Sequence, residues 1–591
     1  MKSVTSFFNR GVYKKDLLRF APAWGLYSVI LLMAYTLLML EDTAFYRADN
    51  LAGLMTGMPL LNFGYAFVNA QLLFGDLYQS RLCNALHALP LRRESWFATH
   101  VAAGMSFSIL PNLIFALLGM ATMGLGKAWS LALWWVAGST LQYVCFFGLA
   151  VLSILLTGNR FAGTLVYGIV NFFPMVVYWL LSSLYEPLMP GIKLSTVLFA
   201  RACPLPQLIS EGEIVDLVTH LIYDQYGGAI GRTVEGVSLV GIGWLWTGIY
   251  AALGIACLVL ALVLYRKRAL ECAGDFMAFR FTEPVLLVIY TLAVGGFFFL
   301  FQDLFGTGPM RYLFLILGLV VGWFTGVMLL ERNVRIFRLK TVAGCAVFLA
   351  VFGVSLGLTA VDPLGLTRWV PAPEQVASVN LSTRYSPEIN AMYELELTDP
   401  EDIRNLTAVH AGALMEPVDP YAEPGYVGDV RLCLEYTLKN GTVRTRFYEV
   451  DALSEAGQLL KPYYSDFEFL TGYAEEEVPE LIRQTVHIYT ATFENSGMTT
   501  QEMMAKLDLA GMYQAILVDC HAGHMAQAGV YHLTELESGI LDWNRSTYLE
   551  VGIGGPGGVT EYFSLSIYED AENTIRWMKE NGLYEPDEYW K

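Results

Sequence analysis

Between residues 22 and 361 the chain returns nine times to an apolar run long enough to cross a bilayer, and beyond residue 361 it has none. A helix rises about 1.5 Å per residue, so about 20 apolar residues match a hydrocarbon layer of roughly 30 Å. A soluble core does not require nine such runs in succession. They are 22–41, 54–76, 97–124, 129–157, 161–185, 237–265, 284–304, 309–330 and 341–361. The expected fold is an α-helical polytopic membrane protein of about nine transmembrane helices, with a C-terminal α+β extracytoplasmic domain.

Charge divides at the same point. Residues 1–361 carry 23 Lys+Arg and 17 Asp+Glu, whereas residues 362–591 carry 14 and 38. A region of that acidity is no nucleic-acid binder and is repelled by anionic headgroups. Orientation follows Lys and Arg in the short loops. One side holds 17: Lys2, Arg10, Lys14, Lys15, Arg19, Arg81, Arg92, Arg93, Arg160, Arg266, Lys267, Arg268, Arg280, Arg332, Arg335, Arg338 and Lys340. The other holds six: Arg47, Lys127, Lys193, Arg201, Arg232 and Arg311. The first side is therefore read as cytoplasmic. Nine spans then put residues 362–591 outside the plasma membrane.

The expected organisation has four parts. Residues 1–21 form an amphipathic cytoplasmic helix with Phe7, Phe8, Val12, Leu17 and Leu18 among basic residues, turned into the first span at Pro22. Residues 22–265 hold six spans with an outer loop at 186–236. There Ser210-Glu211-Gly212-Glu213 reads as a capping box, and Ile214, Leu217, Leu221 and Ile222 as one face of a short surface helix. Residues 266–361 add three spans, and 362–591 the outer domain after a linker at 362–372. Gly318, Gly322 and Gly326 make a small-residue stripe suited to close packing within the chain or between subunits, as do Gly53 and Gly57.

No Asp, Glu, Lys or Arg lies deep in a span, which argues against proton or sodium coupling. The polar content is neutral: Asn62, Asn69, Gln71, Asn112, Gln142 and Asn171. These serve as interhelical hydrogen bonds, with Asn62, Asn69 and Asn171 the candidates for lining a substrate path. Pro111 and Pro174 can kink their spans. The nearest approach to a phosphate-cradling loop, Ala121 to Ala128, lacks the first Gly and the Mg-binding hydroxyl. No cofactor is expected in this chain.

The segment FGDLYQSRLCNALHALPLRRESW follows the second span. Leu82, Ala85, Leu86 and Leu89 fall on one face of a short helix, Pro90 ends it, and Arg92 and Arg93 follow, with Arg81 at its start. This segment resembles the coupling helix of ABC-2 type permeases. The amphipathic N-terminus, the six spans and the long loop between the fifth and sixth resemble that family too, over about residues 1–270. Tyr78-Gln79-Ser80-Arg81 stands where the family often has Glu-x-Gly-Thr. Three further spans and an outer domain containing YELELTDPEDIRNLTAVHAGAL, a helix ending in a His, resemble the long Gram-positive form found in acetoin-utilisation and envelope-stress operons. The resemblance implies an ABC ATPase partner holding ATP and Mg, a second permease subunit (homo- or heterodimer), contact with membrane lipid, an extracytoplasmic lipoprotein as a further candidate, and export driven by that ATPase. A non-conducting sensor and an anchored ectoenzyme are the alternatives.

In the outer domain Thr398-Asp399-Pro400-Glu401 starts a helix, Val430 to Phe447 with Asn440-Gly441 reads as a hairpin, and Thr499-Thr500-Gln501-Glu502 starts another helix. Residues 547–551 and 562–567 read as strands and 572–581 as a last helix, in one domain or two similar halves. Asp519, Cys520, His521 and His524, with His532 nearby, are zinc-binding residue types. The same run also reads as a helix end with a glycine turn. With neither CxxC nor HExxH present, no metal is expected. A Cys433–Cys520 disulfide is open to an outer domain.

Overall fold

The computed structural model describes residues 8–87, 92–223, 229–301, 310–382, 394–415, 429–451, 454–464, 466–491, 496–498, 504–527, 547–554, 560–567 and 570–583. Among them nine helices are long and apolar enough to cross a membrane. The chain divides into two compact units, Met1–Leu180 with Thr196–Phe352, and Leu181–Ser195 with Gly353–Lys591.

In the first unit a short helix α1 (Arg10–Arg19) precedes α2 (Ala21–Met39) and α3 (Ala44–Phe74). After α3 come the short α4 (Ser80–His87), α5 (Arg93–Thr122), α6 (Leu131–Leu156) and α7 (Arg160–Tyr185). Helices α8 (Thr196–Arg201) and α9 (Pro204–Ser210) lead to the antiparallel pair β1 (Val215–Tyr223) and β2 (Ala229–Leu239). Then follow α10 (Gly241–Lys267), α11 (Glu283–Phe299), α12 (Met310–Glu331) and α13 (Leu339–Val361).

Helix α6 is the axis of this unit. It is apolar on all sides, the pattern of a helix enclosed by others, and α3, α5 and α10 surround it with Phe74, Phe107, Tyr250 and Ala261 in one core. Contact with α10 is backbone to backbone. A Cβ on Gly148 would lie 2.8 Å from Gly254 Cα, and one on Gly254 would lie 2.5 Å from Cys145 Cα. Helices α11 and α12 pack through the glycine stripe. A Cβ on Gly318 would meet Phe298 Cβ at 2.5 Å, one on Gly322 Thr291 Cα at 3.0 Å, and one on Gly326 Leu287 Cδ1 at 2.7 Å. Nothing lies within 4 Å of the corresponding points on Gly53 and Gly57.

One expectation fails here. The surface helix at 210–222 is instead the hairpin β1–β2. Ser210 closes α9 rather than opening a new helix, and a Cβ on Gly212 would lie 2.8 Å from the Leu208 carbonyl carbon. Ile214 and Val215, at the base of β1, are buried with Leu51, Leu125 and Trp135. α1 docks by polar groups and by Tyr13 and Leu17, which pack against the core around α6. Asn9 N donates to Thr99 Oγ1 at 3.0 Å, Tyr13 Oη lies 2.8 Å from Ser106 Oγ, and Asp16 is buried, while Leu18 is 78% exposed. Of the expected apolar residues, Leu17 packs on the core, while Phe8 and Leu18 are exposed.

In the second unit β3 (Val376–Ser382), β4 (Glu394–Leu397), α14 (Pro400–Met415), β5 (Asp429–Leu438), β6 (Val443–Asp451) and α15 (Glu455–Tyr464) form one half. After α16 (Phe467–Thr471) and α17 (Val478–Gln484) come β7 (Thr485–Ala491), β8 (Ser496–Met498), α18 (Leu509–His521), β9 (Met525–Gln527), β10 (Thr547–Gly554), β11 (Thr560–Ile567) and α19 (Glu572–Glu580). The sheets run β4-β3-β5-β6 and β8-β7-β10-β11-β9. Apart from β9, each is two antiparallel hairpins with a helix between them, in the strand order second, first, third, fourth. These are two similar halves with separate cores.

The β5–β6 turn is the expected one, with Gly441 at φ +82 where a side chain would be strained. Asp399 accepts from Glu401 N at 3.0 Å and starts α14. Thr499–Glu502 lie outside the described residues, and α18 starts later, capped by Asp508. Cys433 is on β5 and Cys520 on α18, in different halves, and no disulfide joins them. The last turn of α7 and the start of the loop after it, residues 181–195, group with this unit. Gly191 makes a β-bridge to Phe447 of β6, with Phe447 N donating to Gly191 O at 3.1 Å. Gly191 has φ +77, and a Cβ there would sit 2.5 Å from Tyr448 Cζ, so only glycine fits.

Candidate functional site

Helix α4 is the feature to build from, because it is a short helix between two membrane-length ones. α3 ends at Phe74, one 3-10 turn (Gly75–Tyr78) follows, and α4 begins at Ser80. Tyr78 anchors that turn. It is buried, its hydroxyl lies 3.1 Å from Thr157 Oγ1, and it donates to Ile154 O at the end of α6 at 3.4 Å. Cys83 is turned inward at 2% exposure, while Arg81 and Leu82 are exposed. Ala85 and Leu86 lie within α4, but their side chains, and all of Leu89 and Pro90, fall outside the described residues.

Two arginines cap the helices around α4. Oriented carbonyls at a helix C-terminus carry partial negative charge and attract cations. Arg268, only 4% exposed, donates from Nη1 to Ile154 O at 3.1 Å and Leu155 O at 2.7 Å, closing α6. Arg93 donates from Nη1 to Tyr265 O, Arg266 O and Arg268 O at 3.1–3.3 Å, closing α10. Arg92 is exposed at the α5 N-cap, and Glu94 pairs with Arg266 at 3.1 Å. The turn at 272–278 then interlocks with residues 156–159. Gly274 N donates to Gly158 O at 2.6 Å, Ala278 N to Leu156 O at 2.8 Å, and a Cβ on Gly158 would lie 2.8 Å from Asp275 N.

α1 is tied to the same end. Arg19 forks onto Asp76, with Nη1–Oδ2 at 3.1 Å and Nη2–Oδ1 at 3.4 Å. His100 Nδ1 lies 2.7 Å from Asp16 Oδ2, with both groups buried. The Arg19–Asp76 pair is half-open to solvent and contributes under about 1 kcal/mol. The Asp16–His100 contact is a close approach of two buried groups, and among the described residues neither Asp16 Oδ2 nor His100 Nδ1 makes a hydrogen bond.

The other candidate residues are not brought together. Asn62 donates to Ser139 O at 3.3 Å and Gln142 Oε1 at 3.2 Å, and Asn69 to Tyr143 Oη at 2.9 Å, so both zip α3 to α6. Asn171 donates to Tyr167 O in its own helix. Asp519 is buried and accepts from Asn573 Nδ2 and Thr574 N, each at 2.7 Å, as a cap on α19. Cys520 sits in the core, where burial raises its thiol pKa. His521 Nε2 lies 2.6 Å from Glu475 Oε1. His532 is outside the described residues, and among those described no three His, Cys, Asp or Glu converge on a metal-sized point.

His410, expected at a helix end, is inside α14, which continues to Met415. It is fully buried, with Nδ1 3.2 Å from Tyr436 Oη and Nε2 2.8 Å from Tyr448 Oη. Burial, then the Arg446 charge, lowers its pKa to about 4. Burial likewise pushes Tyr448 up to about 12 and Tyr436 above its ordinary value. Comparison of the chain with family models, with curated proteins and with solved structures finds no match.

Proposed function

We propose that this chain is the membrane-spanning permease subunit of an ATP-driven exporter of the ABC-2 class, with α4 as the helix gripped by a separate cytoplasmic ATPase. One observation carries the reading. α4 stands between two membrane-length helices with Arg81 and Leu82 exposed, while the turn leading into it is fastened to the end of α6 through Tyr78, and Arg268 and Arg93 close the ends of α6 and α10. A displacement of α4 would reach the end of α6 through the hydrogen bonds of Tyr78. The spans carry neutral polar groups, and the chain has no phosphate-cradling loop, so the energy comes from the partner. In this reading the end of the bundle carrying α4 is cytoplasmic, and the acidic second unit lies outside, where it binds substrate or an accessory protein or gates the exit.

The test is Leu86→Asp. The sequence puts Leu86 on the face of Leu82 and Leu89, and a carboxylate forced into a buried contact there costs on the order of several kcal/mol. The variant should reach the membrane at the normal level on a fraction blot yet lose the ATPase in pull-down. Full ATPase binding and turnover in the variant would refute the reading. The chain purified free of any ATPase, as checked by mass spectrometry, should hydrolyse no ATP.

A further inference from the structure

We infer that the turn following α13, together with the adjoining part of β6, binds the phosphate headgroups of anionic phospholipids. The inference rests on α13 being a membrane span. Residues 362–367 form a pinned turn. Asp362, at φ +45, accepts from Leu366 N at 2.9 Å, Thr367 N at 2.8 Å and Thr367 Oγ1 at 2.7 Å. That turn presents Leu364 at 80% exposure and Leu366 at 46%, within five residues of the last residue of α13. Apolar side chains held outward at the mouth of a span meet the interfacial layer of the bilayer.

Basic groups converge beside them. Arg446 donates from Nη2 to Leu366 O at 3.1 Å and from Nη1 to Thr445 O at 3.0 Å. Its Nε makes no hydrogen bond, and the residue is 7% exposed. Arg444, exposed, and Arg446 stack on one indole, with Cζ atoms 4.8 Å and 5.2 Å from the Trp369 ring centroid. Arg368 is exposed next to that tryptophan, and Lys193 Nζ lies 5.9 Å from the Phe447 ring centroid.

Two guanidiniums sharing one ring repel each other, and among the described residues neither Arg444 nor Arg446 has a carboxylate within 4.0 Å. A concentrated cation site in a region of 14 basic and 38 acidic residues calls for an anion from elsewhere. The flanking leucines and tryptophan select a lipid phosphate over a dissolved one. The patch also reverses locally the repulsion expected from the net charge.

The experiment is hydrogen exchange on the full chain in nanodiscs of phosphatidylcholine alone and of phosphatidylcholine with phosphatidylglycerol. Exchange in 362–369 and 443–448 should slow with phosphatidylglycerol by roughly fivefold per engaged arginine, the equivalent of about 1 kcal/mol each. Peptides of α18 should not change. The variant R368Q/R444Q should lose the slowing, and inorganic phosphate added to the chain in detergent should not produce it. Equal exchange in the two nanodiscs would overturn the inference, as would protection by inorganic phosphate alone, which marks a free-anion site. The two-nanodisc comparison needs no variant, so a variant that fails to fold leaves the test standing.

Discussion

The crossing of α6 and α10 gives the sharpest test of the packing. Gly148→Ala adds one methyl group. Its carbon would lie 2.7 Å from the Gly254 carbonyl carbon and 2.8 Å from Gly254 Cα, about 1 Å inside ordinary carbon contact. Both atoms are backbone, so no rotamer change relieves the overlap, and the helices must separate. Buried residues on both sides of the crossing, Cys145 and Leu149 on α6 and Cys257 and Ala261 on α10, then lose part of their dispersion contact. Overpacking of this kind costs about 1–3 kcal/mol, against which alanine returns about 0.5–1 kcal/mol of helix propensity. Gly57→Ala is the control: nothing lies within 4 Å of its Cβ, so propensity acts alone. In detergent, thermal unfolding followed by tryptophan fluorescence should shift down for Gly148→Ala and stay level or shift up for Gly57→Ala. Equal midpoints for the two variants would show that α6 and α10 do not touch at this glycine.

Three further outcomes are expected. A cysteine placed within 480–500 should react with impermeant maleimide added to intact cells, and one placed within 333–338 should not; labelling of both would refute the orientation. His410 is held neutral when folded, with a pKa depressed from about 6.5 to about 4, so the unfolded chain takes up its proton first as pH falls. Stability should therefore drop between about pH 6.5 and 4 by at most about 1.4 kcal/mol per pH unit, and His410→Phe should flatten that slope in midpoint-versus-pH scans. Asp519→Ala strips the cap of α19 and leaves Thr574 N unpaired in a buried site, costing roughly 2–4 kcal/mol by denaturant titration, with Asp519→Asn recovering part of it.

Legibility in the sequence followed the range of the forces involved. Local signals read true. Asn440-Gly441 between alternating apolar residues is the β5–β6 hairpin, and Asp399-Pro400 opens α14, because turn and cap chemistry acts within four residues. The hairpin β1–β2 was hidden because its register shifts between Val218 and Thr219 and again between Ile222 and Tyr223. Those bulges spoil the two-residue period and leave Ile214, Leu217 and Leu221 imitating a helical face. The polar seat of α1 was invisible because Asp16 meets His100, far along the chain. The seat of α4 was invisible for the same reason. Arg266, Lys267 and Arg268 are alike in a charge count, yet Arg266 pairs with Glu94 while Arg268 is buried on the end of α6. Only tertiary structure separates a topology signal from a helix cap.

The bridge between Gly191 and Phe447 sets an order of assembly. Gly191 leaves the ribosome about 250 residues before its partner strand. At about 5–20 residues per second that is a wait of roughly 12–50 s, during which four more membrane-length helices are made. The segment 181–195 must stay available for that whole time, so the second unit cannot close until β6 has been made and has folded back to meet it. A graft or truncation that begins at residue 362 leaves behind residues 181–195, which belong to the unit it is meant to carry.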